Sequence, residues 1–213
     1  MRKLILYTLL LVGAIGLTAT WAQEKAAPVT LPNTETFMLT SEATHRDYPI
    51  SVGLPADYQD SKLPYPVLYL LDPELTFGTV TSFVQLLAPD ELPPLIVVGI
   101  GYVDRSQRSA DYDSDDDGFL RFIRTELVPY IDTHYRTLPT DRTIAGYSLS
   151  GQFVLHALAS VPGFFYRHIA ISPSVPFEFG KVLAGTDDAF RAGVGVDKVK
   201  LFIGSGSLEK PQS

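Results

Sequence analysis

Short apolar runs alternate along the chain with segments in which apolar residues recur every three or four positions. The runs are rich in β-branched and aromatic residues, as is typical of strands buried on both faces of a parallel sheet. They cover residues 66–71, 95–100, 143–147, 166–171 and 199–203. Helical spacing covers residues 77–88, 117–134 and 152–159. The alternation predicts an α/β fold with a mostly parallel central sheet.

Other segments complete this pattern. Residues 35–41 and 48–54 carry β-type residues and predict an antiparallel pair near the sheet edge. The helix over 117–134 is predicted to bend at Pro129, because proline cannot donate the helical hydrogen bond. Residues 177–192 are mixed and predict helical pieces joined by loops. Residues 23–33 are polar and predict a flexible lead-in to a domain over 34–213.

The N-terminus has the layout of a secretory signal peptide. A cationic head, Met1 to Lys3, precedes an apolar stretch over 4–17, and Ala22 supplies a small residue before a polar segment. We expect cleavage after Ala22, which predicts a secreted or periplasmic protein without stable membrane insertion. An uncleaved membrane anchor is the alternative, since the uncharged stretch is close to the length that spans a bilayer.

Composition excludes several classes of function. Hydrophobic residues make up 46% and charged residues 19% of the 213 residues, which is typical of a globular domain. The formal net charge is −7 and no basic patch appears, so nucleic acid is not an expected partner. The chain has no cysteine. Disulfides, thiolate metal sites and a cysteine nucleophile are therefore excluded.

Residues 146–151, Gly-Tyr-Ser-Leu-Ser-Gly, carry the clearest chemical signal. Ser148 lies between a predicted strand and a predicted helix, with the small residues Gly146 and Ser150 two positions to either side. This is the pattern of a nucleophile elbow, in which a strained turn lifts the serine hydroxyl off the sheet. Glycine is usual where Ser150 stands, and Gly151 is expected to let the helix pack closely on the sheet.

The chain resembles the esterase family of the α/β-hydrolase superfamily that includes enterobactin and bacillibactin esterases. The stretches that carry the resemblance are 66–72, 96–102 with Arg108 and Asp111, 126–136, 145–151 with 171–174, and 201–209. The resemblance implies a three-layer α/β-hydrolase fold and a carboxylic-ester hydrolase that forms an acyl-enzyme intermediate on Ser148. It also implies a small-molecule ester substrate, a siderophore or another small acyl ester, and no metal or organic cofactor.

The resemblance also implies the groups that assist Ser148. Leu149, directly after the nucleophile, would donate one backbone N–H to the oxyanion. Pro73 stands where relatives often have glycine and has no N–H, so the second donor is expected at Glu74. Glu209 matches the acid that would orient a catalytic histidine.

No histidine is found where the triad order Ser, acid, His requires one. The four candidates are His45, His134, His156 and His168. We expect none of them to be the general base, because each is predicted to lie away from the serine turn. We therefore expect the chain to be incomplete at its C-terminus, without the last strand and the histidine loop, or else to be an inactive remnant.

The acidic run Asp113–Gly118 matches the first half of a calcium loop. Arg124 stands at the twelfth position, where a bidentate glutamate would be needed. We therefore interpret the run as a solvated turn whose aspartates cap and favour the following helix.

Two further functions stay open. A non-catalytic α/β-hydrolase-like protein that binds a ligand would explain the missing histidine. An acyltransferase would use the same elbow with an alcohol in place of water. The sequence leaves the oligomeric state and the identity of the ester undetermined.

Overall fold

The structure is a computed structural model that describes residues 26–113, 117–174 and 199–207. The chain divides into two compact units, Met1–Thr30 and Leu31–Ser213. In the first unit, residues 26–30 are exposed and form no helix or strand. The predicted signal peptide over 1–22 and the predicted helical pieces over 177–192 lie outside the described residues.

A seven-stranded sheet forms the centre of the second unit, within the described residues, in the order β1-β2-β4-β3-β5-β6-β7. Its strands are Thr34–Thr40 (β1), Asp47–Gly53 (β2), Tyr65–Leu71 (β3), Ile96–Ile100 (β4), Thr137–Tyr147 (β5), Arg167–Ile171 (β6) and Lys200–Gly204 (β7). β2 pairs antiparallel with β1 and with β4, and every other pairing is parallel. The mostly parallel sheet and its antiparallel edge pair are confirmed.

Six helical segments connect the described strands. They are Pro73–Leu87 (α1), Arg105–Tyr112 (α2), Gly118–Phe122 (α3), a π-helical turn Ile123–Leu127, Val128–His134 (α4) and Leu149–Ser160 (α5). Among the helices of the described residues, none combines the length and the apolar character that a membrane crossing requires.

Helices cover both faces of the sheet, so the described unit has three layers. On one face, the segment from α3 to α4 and helix α5 bury residues such as Leu127 and Phe153 against Tyr69 of β3. On the other face, α1 packs Val84 against Val97 of β4. Because parallel strands with helices on both faces are buried on both sides, the apolar runs show no alternation.

The predicted continuous helix over 117–134 is wrong in detail. The chain forms α3, widens into the π-helical turn and continues as α4, in which Pro129 is the second residue. Pro129 has no N–H to donate to the carbonyl four residues earlier, which disfavours regular α-helix at this point. In the π-helical turn, Glu126 accepts hydrogen bonds at 2.9 Å from the backbone amides of Glu42 and Ala43. These bonds attach the β1–β2 connection to the helical layer.

The strand registers show where the candidate site lies on the sheet. In the parallel ladder, the ends of β3, β4, β5 and β6 lie side by side at the same edge. Ligands of open α/β sheets bind at the carboxyl ends of the strands. Ser148 follows β5 directly and so stands at this edge.

Candidate active site

Ser148 occupies a strained turn between β5 and α5. Its backbone has φ 57° and ψ −119°, a conformation rarely adopted by residues other than glycine. Hydrogen bonds hold the turn on both sides. The Ser148 amide donates to the Ile171 carbonyl at 2.9 Å, and its carbonyl accepts from the amides of Gln152 and Ser174, each at 3.0 Å. The strain is therefore maintained by β6 and by the segment that follows it.

Small residues around the serine are required by backbone contacts. A Cβ atom at Gly146 would lie 2.5 Å from the Ser150 carbonyl oxygen, and one at Gly151 would lie 3.0 Å from the Ile171 carbonyl oxygen. The neighbouring atoms belong to backbone, which cannot turn aside as a side chain can. The small residue predicted at Gly146 thus has a steric cause, and Gly151 lets α5 approach β6 closely.

Ser150 does more than keep the turn small. Its hydroxyl accepts a hydrogen bond from the Tyr147 amide and donates one to the Tyr147 carbonyl, both at 2.8 Å. Ser150 is fully buried. The side chain therefore satisfies both backbone groups of the residue before the nucleophile, which a glycine could not do.

Replacing Gly146 with alanine is expected to destabilise the fold by about 1–3 kcal/mol, the usual cost of overpacking. The added methyl has no free space beside the Ser150 carbonyl. Gly78→Ala is the matched control, because a Cβ there meets Leu31 at an ordinary 3.5 Å within α1, where alanine is the better helix former. Urea unfolding of both variants measures the difference, and equal stability of the two would contradict the steric argument.

The Ser148 hydroxyl is half-buried and lies 3.2 Å from the Ser174 hydroxyl. All four histidines belong to the described residues, and none hydrogen-bonds Ser148 Oγ. His134 contacts the Tyr130 carbonyl through Nδ1 at 2.8 Å. His156 contacts the Asp117 carboxylate at 2.8 Å.

The two remaining histidines also lie away from the serine. His45 is exposed in the turn that connects β1 to β2. His168 is buried as the second residue of β6, at the end of that strand opposite to Ser148. At these positions the four histidines lie away from Ser148 Oγ, and the absence of a general base among them stays a prediction.

An ion pair anchors the loop that faces Ser148. Asp72, at the end of β3, has the left-handed conformation φ 52°, ψ 50° and precedes α1. Both of its carboxylate oxygens accept hydrogen bonds from Arg108, from Nε at 2.6 Å and from Nη2 at 2.8 Å. Asp72 is 7% exposed. This bidentate pair joins the end of β3 to α2 and was not predicted as a pair from the sequence.

The two predicted oxyanion donors lie at helix N-termini. Leu149 is the first residue of α5 and Glu74 the second residue of α1, positions whose N–H groups have no partner within the helix. The Glu74 carboxylate accepts a hydrogen bond from the Tyr102 backbone amide at 3.2 Å.

A cavity of about 740 Å³ opens beside Ser148. Its lining is mainly apolar, and it falls within the range of small-molecule sites. The residues that line it include Leu70, Leu75, Thr76, Tyr102, Arg105, Arg108, Tyr147, Ser148 and Ile171. Sequence reasoning missed Leu75, Tyr102 and Arg105, since nothing local distinguishes them from surface residues. Leu149 and Glu74 are not among the lining residues.

The predicted acidic groups have different outcomes. Glu209 lies outside the described residues, as do residues 114–116 of the acidic run. Asp117 precedes α3, but its side chain caps no helix amide and contacts His156 instead, so the predicted side-chain cap is wrong at this residue. Within the described ranges, no three His, Asp or Glu side chains form a group that could hold a metal ion.

Comparison with known proteins identifies relatives that cleave esters. The model of the "Putative esterase" family matches residues 41–207. Ferri-bacillibactin esterase BesA of Bacillus subtilis is 33% identical over 186 residues, covering 74% of this chain and 64% of the relative. The siderophore triacetylfusarinine C esterase of Aspergillus fumigatus is 29% identical over 174 residues, covering 71% and 59%. The chain thus spans about three-fifths of the length of these curated relatives.

Solved structures show the same fold. The BES protein from Bacillus cereus superimposes with a TM-score of 0.77 and 25% identity, over 88% of this chain and 79% of that chain. The siderophore hydrolase EstB from Aspergillus nidulans gives a TM-score of 0.74 and 27% identity, over 89% and 74%. The described sheet and its helices are therefore those of the siderophore-esterase type of α/β-hydrolase. Because the family model covers most of its length, the chain belongs to this esterase family.

Proposed function

We propose that the chain is a carboxylic-ester hydrolase whose nucleophile is Ser148. The observation that carries the proposal is the strained turn that holds the Ser148 hydroxyl at the cavity beside the carboxyl ends of the strands. A non-glycine residue is kept in such a conformation only when its surroundings impose it, and such strain is frequent at active sites. Membership of the esterase family supports the same chemistry.

In the proposed mechanism, Ser148 Oγ attacks the ester carbonyl and loses its proton to a base. The backbone N–H groups of Leu149 and Glu74 donate to the oxyanion, each contributing about 3–4 kcal/mol to the transition state. The alcohol leaves with a proton, and water then attacks the acyl-enzyme to release the acid and restore the serine. Glu209 is proposed to orient the histidine that acts as the base.

Within the part of the chain that the structure describes, no histidine is placed to act as the base. None of the four histidines contacts Ser148 Oγ, whose partner within hydrogen-bond distance is the Ser174 hydroxyl. A neutral serine is a weak nucleophile. We therefore expect the chain by itself to turn esters over slowly. The test of the proposed function accordingly measures the reactivity of Ser148 rather than turnover.

The proposed substrate is a siderophore ester or another small acyl ester. The named relatives act on ferri-bacillibactin and on triacetylfusarinine C, and the cavity has the size of a small-molecule site. Export of the chain through its N-terminal segment is part of the proposal, because the cationic and apolar layout of residues 1–22 is that of a signal peptide.

A second candidate is a binding protein that uses the same cavity without chemistry. The observation that favours it is the absence of a histidine partner on Ser148 Oγ. The two candidates differ in whether the hydroxyl reacts. They agree in predicting that an ester or an analogue binds in the cavity.

Because no histidine contacts Ser148 Oγ, an alkyl fluorophosphonate in excess is expected to place a covalent adduct on Ser148 slowly, over prolonged incubation, and peptide mass spectrometry locates the adduct. Ser148→Ala should lose this adduct completely. Ser160→Ala is the matched control, because Ser160 is exposed at the end of the same helix, and labelling of Ser148 should be unchanged in it. If the Ser148→Ala variant takes up as much label as the unmodified chain, the serine is not the nucleophile and the binding function is favoured.

A further inference from the structure

The cavity beside Ser148 carries one positive charge that its own lining does not neutralise. Three charged residues line it, namely Asp72, Arg105 and Arg108. The bidentate pair between Asp72 and Arg108 cancels two of these charges. Among the residues that the structure describes, none forms an ion pair with Arg105. The lining therefore has a net charge of about +1 on a protein whose net formal charge is −7.

The nearby carboxylates are committed to other groups. Asp104 accepts hydrogen bonds from the Ser106 hydroxyl at 2.5 Å and from the Gln107 amide at 2.9 Å, and so caps α2. Glu74 accepts from the Tyr102 amide at 3.2 Å. Neither of these two described carboxylates forms an ion pair with the Arg105 guanidinium, although their charges lie in the same region of the molecule.

Local helix energetics do not explain a cation at this position. Arg105 is the first residue of α2, and positive charge is unfavourable at a helix N-terminus. Arg105 is instead one of the residues that line the cavity. Burial raises the pKa of Tyr102, and the positive charges of Arg108 and Arg105 oppose that rise. Arg105 thus acts on the same cavity-lining hydroxyl as the paired Arg108 does.

Exposed apolar side chains accompany this charge. Leu75 is 85% exposed and Tyr147 57% exposed, and both line the same cavity as Ser148. A cation together with exposed apolar surface suits a ligand with an apolar or aromatic body and a negatively charged group.

We propose that Arg105 binds a negatively charged group on the non-reacting part of the ester, so that the cavity prefers anionic esters over neutral esters of the same size. The inference rests on the proposed function, because it takes this cavity as the substrate site. Arg105 acts here in recognition and takes no part in bond cleavage. A guanidinium is suited to this role, since its planar fork can bind a carboxylate or a phenolate with two N–H groups.

The test measures binding of two uncleaved amides, 4-nitrobutyranilide and 4-nitrosuccinanilic acid, by isothermal titration calorimetry at pH 7 and low salt. The two probes differ by a methyl group in place of a carboxylate. We expect the anionic probe to bind about fivefold more tightly, the upper range for an exposed ion pair, and to lose this advantage in high salt. Arg105→Gln should reduce the difference between the probes to about twofold or less.

Two further variants separate recognition from long-range charge and from catalysis. Lys62→Gln removes the same charge at an exposed position outside the cavity lining, and the preference should survive it. Ser148→Ala should also keep the preference, because neither probe is cleaved. Equal binding of the two probes to the unmodified chain, an unchanged preference in Arg105→Gln, or an equal loss in Lys62→Gln would overturn the inference. Failure of fluorophosphonate labelling with the preference intact would count against the proposed reaction alone.

Discussion

Replacing Arg108 with methionine is expected to lower the free energy of unfolding by about 3 kcal/mol. The substitution leaves the carboxylate of Asp72, whose side chain is 10% exposed, without the two N–H donors that now bind both of its oxygens. Removing one partner of a buried ion pair costs about 3–5 kcal/mol, because the other charge stays buried and unpaired. Partial exposure of the Arg108 side chain places the expected value at the lower end of that range.

A double-mutant cycle makes this prediction specific to the pair. Asp72→Asn removes the buried charge and keeps a residue that tolerates the left-handed conformation, so the double variant Asp72→Asn with Arg108→Met should recover part of the loss. Arg121→Met is the control, because Arg121 is exposed and its recorded contact is a 3.4 Å bond to the Ala43 carbonyl. Urea unfolding at pH 7 measures the unmodified chain, the two single variants, the double variant and the control. A loss for Arg108→Met no larger than the control's would contradict the argument.

The same pair affects the proposed reaction through the position of α1. Asp72 directly precedes this helix, whose second residue, Glu74, is a proposed oxyanion donor. The ion pair attaches the start of α1 to α2, and its two residues are 36 positions apart in the sequence. We therefore regard Arg108 as a residue that positions the first turn of α1, which carries the proposed donor Glu74.

Much of the sheet could be predicted because its signals are local. An apolar run without alternation is enough to indicate a strand buried on both faces, and β3 and β4 match the predicted runs within one residue. β5 begins at Thr137, six residues before the predicted start, because its first half contains Pro139 and Asp141 and lacks the apolar pattern. Its pairing with β3 is a tertiary contact that composition does not reveal.

Helix α2 was missed for a related reason. Its sequence is polar throughout, and the residues it buries are Gln107, Asp111 and Tyr112. A signal for its start was available, since Asp104 followed three residues later by Gln107 is typical of a helix N-cap. The start of α1 also had a signal in Pro73, because proline is common at the first helical position. Both signals consist of one or two residues, and the prediction of elements relied on the longer apolar patterns instead.

In the candidate site, too, the local features could be predicted and the contacts between distant segments could not. The spacing of Gly146, Ser148 and Ser150 predicted the turn, because the steric demand acts within five residues of the chain. The bonds that hold the turn come from Ile171 and Ser174, and the ion pair of Asp72 comes from a different helix. Contacts between distant segments depend on topology, and one sequence read alone carries no direct record of them.

The stability of the fold is expected to fall by about 3 kcal/mol as the pH is lowered from 6.5 to 4, through the titration of His168. This residue is fully buried, and its two ring nitrogens have no hydrogen-bond partner among the residues that the structure describes. Burial lowers the pKa of His168 from its ordinary 6.5 to about 4. Protonation therefore favours the unfolded chain, so the full contribution is present above pH 6.5 and is lost as the pH falls toward the folded-state value.

Substitution separates this effect from the carboxylates that titrate in the same range. His168→Leu keeps an apolar side chain of similar size against Phe165, whose ring centroid lies 5.9 Å away, and removes the proton-binding group. Its unfolding free energy, measured in urea, should change less between pH 6.5 and pH 4 than that of the unmodified chain, by about 3 kcal/mol. His45→Asn is the control, since His45 is exposed and asparagine accepts its left-handed backbone. Parallel pH profiles for His168→Leu and the unmodified chain would show that the buried imidazole does not control acid stability.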